Sequence, residues 1–171
     1  LGRNAFLAAS HLIVALQKLH KIFPLRDRLF TPPESTFQPT RKETNSSSIN
    51  TIPGEDTFFM DCRILPSYDL SDVMNEIRCI MKTIEQKYCV TVDFFPVQQV
   101  QAPPPTGESA AIVLALKKAI RDVYGIKGKT VGVGAGTVAA VFRKYGYEAA
   151  VWSKLCQKAH QPDECCLIDN M

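Results

Sequence analysis

The stretch that decides the fold of the first half of the chain is Thr57-Phe-Phe-Met-Asp-Cys-Arg63. Positions 58, 60, 62 and 64 are apolar, a period of two that is typical of a strand with one buried face. Residues 35–42 form a second extended pattern, and the polar turn Asn45-Ser-Ser-Ser48 joins the two. We therefore predict that residues 35–42 and 49–65 form an antiparallel pair of strands.

Helical and strand patterns flank this pair. Apolar residues recur at helical spacing over residues 4–21, with Asn4 as a candidate N-cap, and again after Asp69, which is placed to cap a second helix. Residues 89–97 are rich in Val, Thr and Phe and predict another strand. If one more strand preceded Leu1, the order of elements would be the ferredoxin-like βαββαβ arrangement, with two helices packed on an antiparallel sheet.

A proline-rich segment, Gln101-Ala-Pro-Pro-Pro-Thr-Gly107, separates this region from the rest of the chain. Consecutive prolines extend the backbone and cannot donate ladder hydrogen bonds, so we predict a domain boundary between residues 101 and 102. After the boundary, two helices alternate with two short strands, over residues 108–124, 130–133, 136–145 and 148–151. Such alternation is typical of an α/β domain, and the short length predicts only part of one.

Composition argues against several classes of partner. The chain has 171 residues, 46% of them hydrophobic, and a net charge of +3 from scattered basic residues, so we expect no nucleic-acid partner. A ferredoxin-like RNA binder would need aromatic side chains on one strand face, whereas adjacent Phe58 and Phe59 point to opposite faces. The apolar run over residues 5–19 contains too many polar residues to span a membrane. Six cysteines without CxxC spacing indicate reduced thiols and predict a cytoplasmic protein.

Two motifs in the second region carry candidate chemistry, Val131-Gly-Val-Gly-Ala-Gly-Thr137 and Ala159-His-Gln-Pro-Asp-Glu164. The glycine spacing is not that of a dinucleotide-binding turn, and Lys129-Thr130 lacks the upstream glycine of a phosphate-binding loop. The glycines favour a close approach of the backbone to another group, at the start of a helix whose amides could face an anion. His160 lies in a polar loop, where a histidine is either a surface residue or a metal ligand.

Together with Ser35-Thr-Phe-Gln-Pro-Thr40, Ile49-Asn-Thr-Ile-Pro-Gly54 and Asp61-Cys-Arg63, these motifs resemble those of a di-zinc amidohydrolase and metallopeptidase family. This is the family of succinyl-diaminopimelate desuccinylase, acetylornithine deacetylase and aminoacylase. The resemblance implies an α+β lid domain over residues 1–101, ferredoxin-like but without its first strand. It also implies that residues 102–171 are the C-terminal part of a zinc catalytic domain. The parent protein would hydrolyse amide bonds of N-acyl amino acids or dipeptides and would form a homodimer through the lid.

The resemblance also implies substrate contacts. Arg63, at the end of the lid strand, would bind the substrate carboxylate, a task suited to the bidentate guanidinium. Asn50 would reach the substrate from the same lid domain, and Gly134, Gly136 and Thr137 would contact it from the turn beside the metal. From the residues alone, an exposed arginine such as Arg63 is usually just solvated, and Asn50 is equally a turn-capping residue.

For the metal centre, the resemblance assigns only His160, as a ligand of one ion of a zinc pair, with cobalt or manganese as alternative metals. Asp163 stands where the family has asparagine. The remaining ligands and the general base are expected upstream of Leu1, so this chain alone is expected to be inactive. The missing initiator methionine and the early end at Met171 agree with that expectation of a fragment.

Three acidic residues outside these motifs, Glu43, Glu55 and Asp61, follow no ligand spacing and are interpreted as solvated charges. The alternative function is a non-catalytic ferredoxin-like module for binding or assembly. That alternative predicts no tight zinc binding.

Overall fold

The structure is a computed structural model that describes residues 2–43, 46, 48–134, 136–153, 162–165 and 168. The chain divides into two compact units. The first comprises Leu1–Pro105 and Thr130–Gly136, and the second comprises Thr106–Lys129 and Thr137–Met171. The glycine-rich turn thus belongs mainly to the same unit as the predicted hairpin.

In the first unit, helices pack against an antiparallel sheet, which is the predicted α+β, ferredoxin-like arrangement. Its elements are α1 (Ala5–Leu16), α2 (Leu19–Ile22), β1 (Thr36–Lys42), β2 (Phe58–Arg63) and α3 (Leu70–Tyr88). The second unit contains α4 (Ala111–Tyr124) and α5 (Val138–Lys144). No helix among the described residues is long and apolar enough to cross a membrane.

The hairpin of β1 and β2 runs from the pair Thr36–Arg63 to the pair Lys42–Phe58, with an irregularity after Pro39. Proline has no N–H for the ladder, which suits it to a bulge. The predicted strand over residues 49–65 is too long, because residues 49–57 form a loop that contains a proline and a glycine. This loop is attached to the helical layer by a hydrogen bond from the Ala5 N–H to the Pro53 carbonyl, 3.1 Å.

The helix predicted over residues 4–21 is divided into α1 and α2. Asn4 caps α1 as expected, since its side chain accepts the Leu7 N–H at 3.0 Å. At Gln17 and Lys18 the backbone forms bonds to residues three positions earlier, which tightens the turn and ends the regular helix. The next residue, Leu19, is completely buried in the core.

The core lies between this helical layer and the hairpin. Asp69 caps α3 by accepting the Ser71 N–H at 2.7 Å, and this hydrogen bond lowers the pKa of the Asp69 carboxyl. From α3, apolar side chains at spacings of three and four enter the core, and α1, α2 and β1 provide the opposing surface. The buried cluster comprises Ala8, Leu12, Leu16, Leu19, Phe23, Phe37, Val73, Ile77, Met81 and Ile84.

Residues 89–97 do not form the predicted strand. Alternate side chains at Val90, Val92 and Phe94 are half-buried and pack on the core, as the side chains of a one-sided strand would. A strand also needs a neighbour for its backbone, and no described segment pairs with this one. The Val92 N–H instead donates to the Glu85 carboxylate at 2.8 Å.

The second unit has helices but no ladder among its described residues. Helix α4 buries Val113 and Ile120 and ends at Gly125, whose φ of +66° favours glycine. The predicted strand over residues 148–151 is wrong for these residues. Ala149 exchanges both its backbone hydrogen bonds with the Thr106 hydroxyl, at 2.7 and 3.1 Å, rather than with a strand. The strand predicted over residues 130–133 is reduced to one isolated bridge between Phe30 and Gly132 in the first unit.

Candidate substrate site at the end of the hairpin

The backbone at Arg63 is fixed on both sides. Arg63 is the last residue of β2 and lies opposite Thr36, the first residue of β1. Next to this pair, the buried Ser35 hydroxyl accepts the N–H of Leu65 at 3.0 Å. A buried hydroxyl with a hydrogen-bond partner stabilises the pairing of the two chain segments at this end. The arginine therefore projects from a rigid end of the hairpin.

The Arg63 side chain lies on the face of the hairpin away from the core and is 58% exposed. Its Nε donates to Asp61 Oδ2 at 2.9 Å. Phe58 and Met60, on the opposite face of β2, pack against the core cluster. The predicted alternation is observed at Phe58 and Met60, which lie inward, and at Asp61 and Arg63, which lie outward, whereas Cys62 at a predicted inward position is exposed.

The glycine-rich turn lies against the Arg63 side chain. A methyl group placed on Gly134 would lie 3.8 Å from Arg63 Cδ, which is an ordinary van der Waals distance. The turn is held by a short hydrogen bond from the Gly132 N–H to the Leu29 carbonyl, 2.6 Å. A methyl group on Gly132 would come within 2.5 Å of the Phe30 ring, so only glycine fits there. The structure therefore brings together Arg63 and Gly134, two of the predicted substrate contacts.

Asn50 is not near this end of the hairpin. It belongs to the loop that joins β1 to β2, whereas Arg63 lies at the opposite end of β2. Five residue steps along a strand span about 17 Å. The Asn50 side chain accepts a hydrogen bond from the Ser48 hydroxyl, which fits the interpretation of a turn-stabilising residue.

The other predicted contacts have different environments. A methyl group on Gly136 would meet no described atom within 4 Å. Thr137 caps α5, its hydroxyl accepting the Ala140 N–H at 3.3 Å. Because α5 has only seven residues, its amides add little to an anion site. His160 lies outside the described residues.

The sequence did not indicate two residues that contact the predicted site. Asp61 was interpreted as a solvated charge, but it accepts the hydrogen bond of the arginine two residues later. Residues two apart on a strand share a face, and this spacing could have indicated the pair. Phe30 holds the glycine-rich turn, and this contact between distant segments has no local signal.

The charged groups around β2 also affect a thiol. Burial raises the pKa of Cys62 to about 11, and the negative charge of Asp61 adds to the rise. Although the residue as a whole is exposed, neighbouring protein atoms desolvate its thiolate. Cys62 is therefore a poor nucleophile at neutral pH.

The described residues do not form a metal site by themselves, since no three His, Cys, Asp or Glu side chains among them cluster suitably. The other two histidines are engaged with aromatic rings. His11 stacks on Tyr88 with ring centroids 5.0 Å apart, and His20 meets the edge of Phe37 at 5.3 Å.

A separate groove of about 310 Å³ lies between α3 and the extended segment after it. Its walls carry both charge signs and apolar groups, and none of the predicted site residues is among them. The lining comprises Arg78, Met81, Lys82, Glu85, Val92, Asp93, Phe94 and Phe95.

Comparison with known proteins identifies the class of this fold. Residues 1–89, just over half of the 171-residue chain, match the peptidase dimerisation domain of the M20 family. The chain therefore belongs to the M20 peptidase family. This confirms the broader family prediction.

Two curated relatives extend the similarity beyond this domain. The chain is 36% identical over 179 aligned residues to an uncharacterized metallohydrolase of Methanocaldococcus jannaschii, an alignment that covers 99% of the chain and 44% of the relative. It is also 36% identical over 156 residues to an uncharacterized metallohydrolase of Methanococcus maripaludis, covering 84% of the chain and 37% of that relative. The chain thus spans less than half the length of these relatives. No solved structure matches it significantly.

Proposed function

We propose that the chain is the lid domain and the C-terminal part of the catalytic domain of a zinc-dependent hydrolase. The hydrolase cleaves the amide bond of an N-acyl amino acid or a dipeptide, as the desuccinylase and deacetylase branch does. The domain boundary lies between residues 101 and 102. The protein works in the cytoplasm, and the chain alone is inactive. The names of both relatives support the hydrolase class, and the matched domain supports the family.

The observation that carries this proposal is the environment of Arg63. Its backbone is anchored at the end of β2, its stem lies beside Gly134, and its guanidinium projects from the exposed face. A fixed guanidinium binds a carboxylate through two parallel hydrogen bonds. Both an N-acyl amino acid and a dipeptide carry a free carboxylate next to the amide bond that is cleaved. Gly134, Gly136 and Thr137 line the substrate from the turn.

The metal requires residues beyond those described. A zinc pair needs several histidine and carboxylate ligands, and the described residues provide no such cluster. We assign one ligand to this chain, His160, and the others to the part of the longer protein that the relatives possess. Cobalt and manganese are alternative metals for the same donor types.

We further propose that the protein is a homodimer and that Asn50 acts across the dimer. Asn50 and Arg63 lie at opposite ends of a hairpin whose second strand spans about 17 Å. An N-acyl amino acid with a short acyl group is smaller than this distance. A single substrate held by both residues would therefore take them from two chains. The match to a peptidase dimerisation domain supports such an arrangement.

The first test uses the longer hydrolase and two substrates, an N-acyl amino acid and the same compound with its carboxylate converted to an amide. For Arg63→Ala we expect kcat/KM for the free acid to fall about 10- to 100-fold, since charged hydrogen bonds are lost. For the amide we expect little change. Arg41→Ala is the matched control, because Arg41 is an exposed arginine on the same hairpin that packs over Phe59 at 4.7 Å. Equal effects of both variants on both substrates would contradict the role of Arg63.

The second test mixes two impaired variants, Asn50→Ala and Arg63→Ala, and assays the free-acid substrate. If one substrate takes Asn50 and Arg63 from different chains, each mixed dimer contains one intact site. Refolding the two variants together should then raise the activity of the mixed dimers to about half that of the wild-type dimer. If both residues act within one chain, no mixed dimer regains activity. If the longer protein, supplied with zinc, cleaves none of the N-acyl amino acids and dipeptides tested, the non-catalytic binding module is favoured.

A further inference from the structure

We propose that Asp61 is a positioning residue that directs Arg63 to bind the substrate carboxylate through its two terminal nitrogens. This inference rests on the proposed function of Arg63. It adds a residue to the site and a defined geometry for the ion pair. The observation behind it is the hydrogen bond from Arg63 Nε to Asp61 Oδ2, 2.9 Å.

The strand geometry explains why these two residues meet. Residues two apart on a strand project from the same face, and Asp61 and Arg63 are the last two outward positions of β2. The opposite strand offers Arg63 no acidic partner in the ladder, because the residue paired with it there is Thr36, which is uncharged. The partner of Asp61 in the ladder is Gln38, also uncharged. Asp61 therefore has no competing cation opposite it in the hairpin.

One hydrogen bond orients the arginine side chain, because Asp61 holds Nε. Gly134 lies beside the stem, where a methyl group placed on it would be 3.8 Å from Cδ. A guanidinium can donate two hydrogen bonds to a carboxylate side-on, from Nε and one Nη, or end-on, from Nη1 and Nη2. Asp61 occupies Nε, so the side-on geometry is blocked. Among the residues that the structure describes, Nη1 and Nη2 have no partner, which leaves the end-on geometry open.

The effect of Asp61 has two opposing parts. Its oxygen orients the guanidinium, which favours substrate binding, and its negative charge repels the substrate carboxylate, which opposes it. The variants Asp61→Ala and Asp61→Asn separate the two. Alanine removes both the acceptor and the charge, whereas asparagine removes the charge and keeps a carbonyl oxygen that can accept the Nε–H.

The experiment measures kcat and KM of the longer hydrolase with the free-acid substrate. For Asp61→Ala we expect KM to rise about five- to tenfold with kcat within about twofold, since the lost orientation weakens a charged ion pair. For Asp61→Asn we expect KM within about twofold of the wild type. With the amide substrate, which lacks the carboxylate, neither variant should change KM.

Glu43→Ala is the matched control. Glu43 makes the same kind of contact to an arginine two residues away, Arg41, with Nη2 and Oε1 3.1 Å apart and both side chains largely exposed. We expect this variant to leave KM unchanged. An unchanged KM in Asp61→Ala, with a raised KM in Arg63→Ala, would overturn the positioning role and leave the proposed function intact. An equal rise in Asp61→Ala and Asp61→Asn would overturn it as well, because charge would then be the cause. An unchanged KM in Arg63→Ala would overturn both.

Discussion

Gly132→Ala should destabilise the first unit because of one contact. The new methyl group would lie 2.5, 2.6 and 2.9 Å from three atoms of the Phe30 ring. Carbon atoms pack at about 3.5–4.0 Å, so the ring or the turn must move by about 1 Å. Such overpacking costs about 1–3 kcal/mol. The backbone at Gly132 does not have a positive φ, so alanine is otherwise tolerated there and the ring is the sole source of the cost.

Urea unfolding measures this cost as the shift of the unfolding midpoint between wild type and variant, provided that the m-value stays constant. Gly136→Ala is the control, because a methyl group there meets no described atom within 4 Å, and its effect should stay within about 0.5 kcal/mol. In a Phe30→Ala background, Gly132→Ala should become nearly neutral, giving a coupling energy equal to most of the original cost. The reasoning is refuted if Gly132→Ala is no worse than Gly136→Ala, or if its cost persists without the Phe30 ring.

Two further outcomes are expected. Leu12→Ala should lower the free energy of unfolding by about 2–5 kcal/mol, because Leu12 is only 4% exposed. Val14→Ala on the same helix should change it little, because Val14 is 69% exposed. Thermal unfolding of both variants checks this, and equal shifts would contradict the assignment of Leu12 to the core face of the helix. Cys62 should resist alkylation at pH 8, where about one thiol in a thousand is ionised at a pKa of about 11, and should react as the pH rises toward 11. Because the unfolded chain loses this proton near pH 9, the folded state should also lose stability between about pH 9 and 11. Mass-spectrometric peptide mapping measures this, with the exposed Cys79 as internal reference for the reagent. Alkylation of Cys62 as fast as that of Cys79 at pH 8 would contradict the desolvation of its thiolate.

In the first unit, local sequence patterns correctly predicted the features that depend on one residue and its near neighbours, such as helix caps. Asn4 and Asp69 cap their helices as expected, because a capping side chain needs only the backbone N–H groups that follow it. The alternation at Phe58 and Met60 correctly indicated the buried face of β2. The strand over residues 89–97 failed for a different reason. Its side chains pack as a strand's would, but a ladder also requires a second segment, and no pattern within residues 89–97 reveals whether one is available.

The candidate site depends on contacts that join distant parts of the chain. Arg63 ends a strand whose face the sequence predicts, yet Gly134 lies beside its stem, and the turn that carries Gly134 is held where Phe30 and Leu29 contact Gly132. Each of these contacts links segments far apart in sequence, and each depends on a precise distance that composition and periodicity do not carry. Residue type and motif order therefore predict candidate site residues, whereas the contacts that position them could not be predicted. A change at Phe30, which touches no proposed substrate contact, should for the same reason weaken substrate binding through the turn. It should do so without altering the charge of the site.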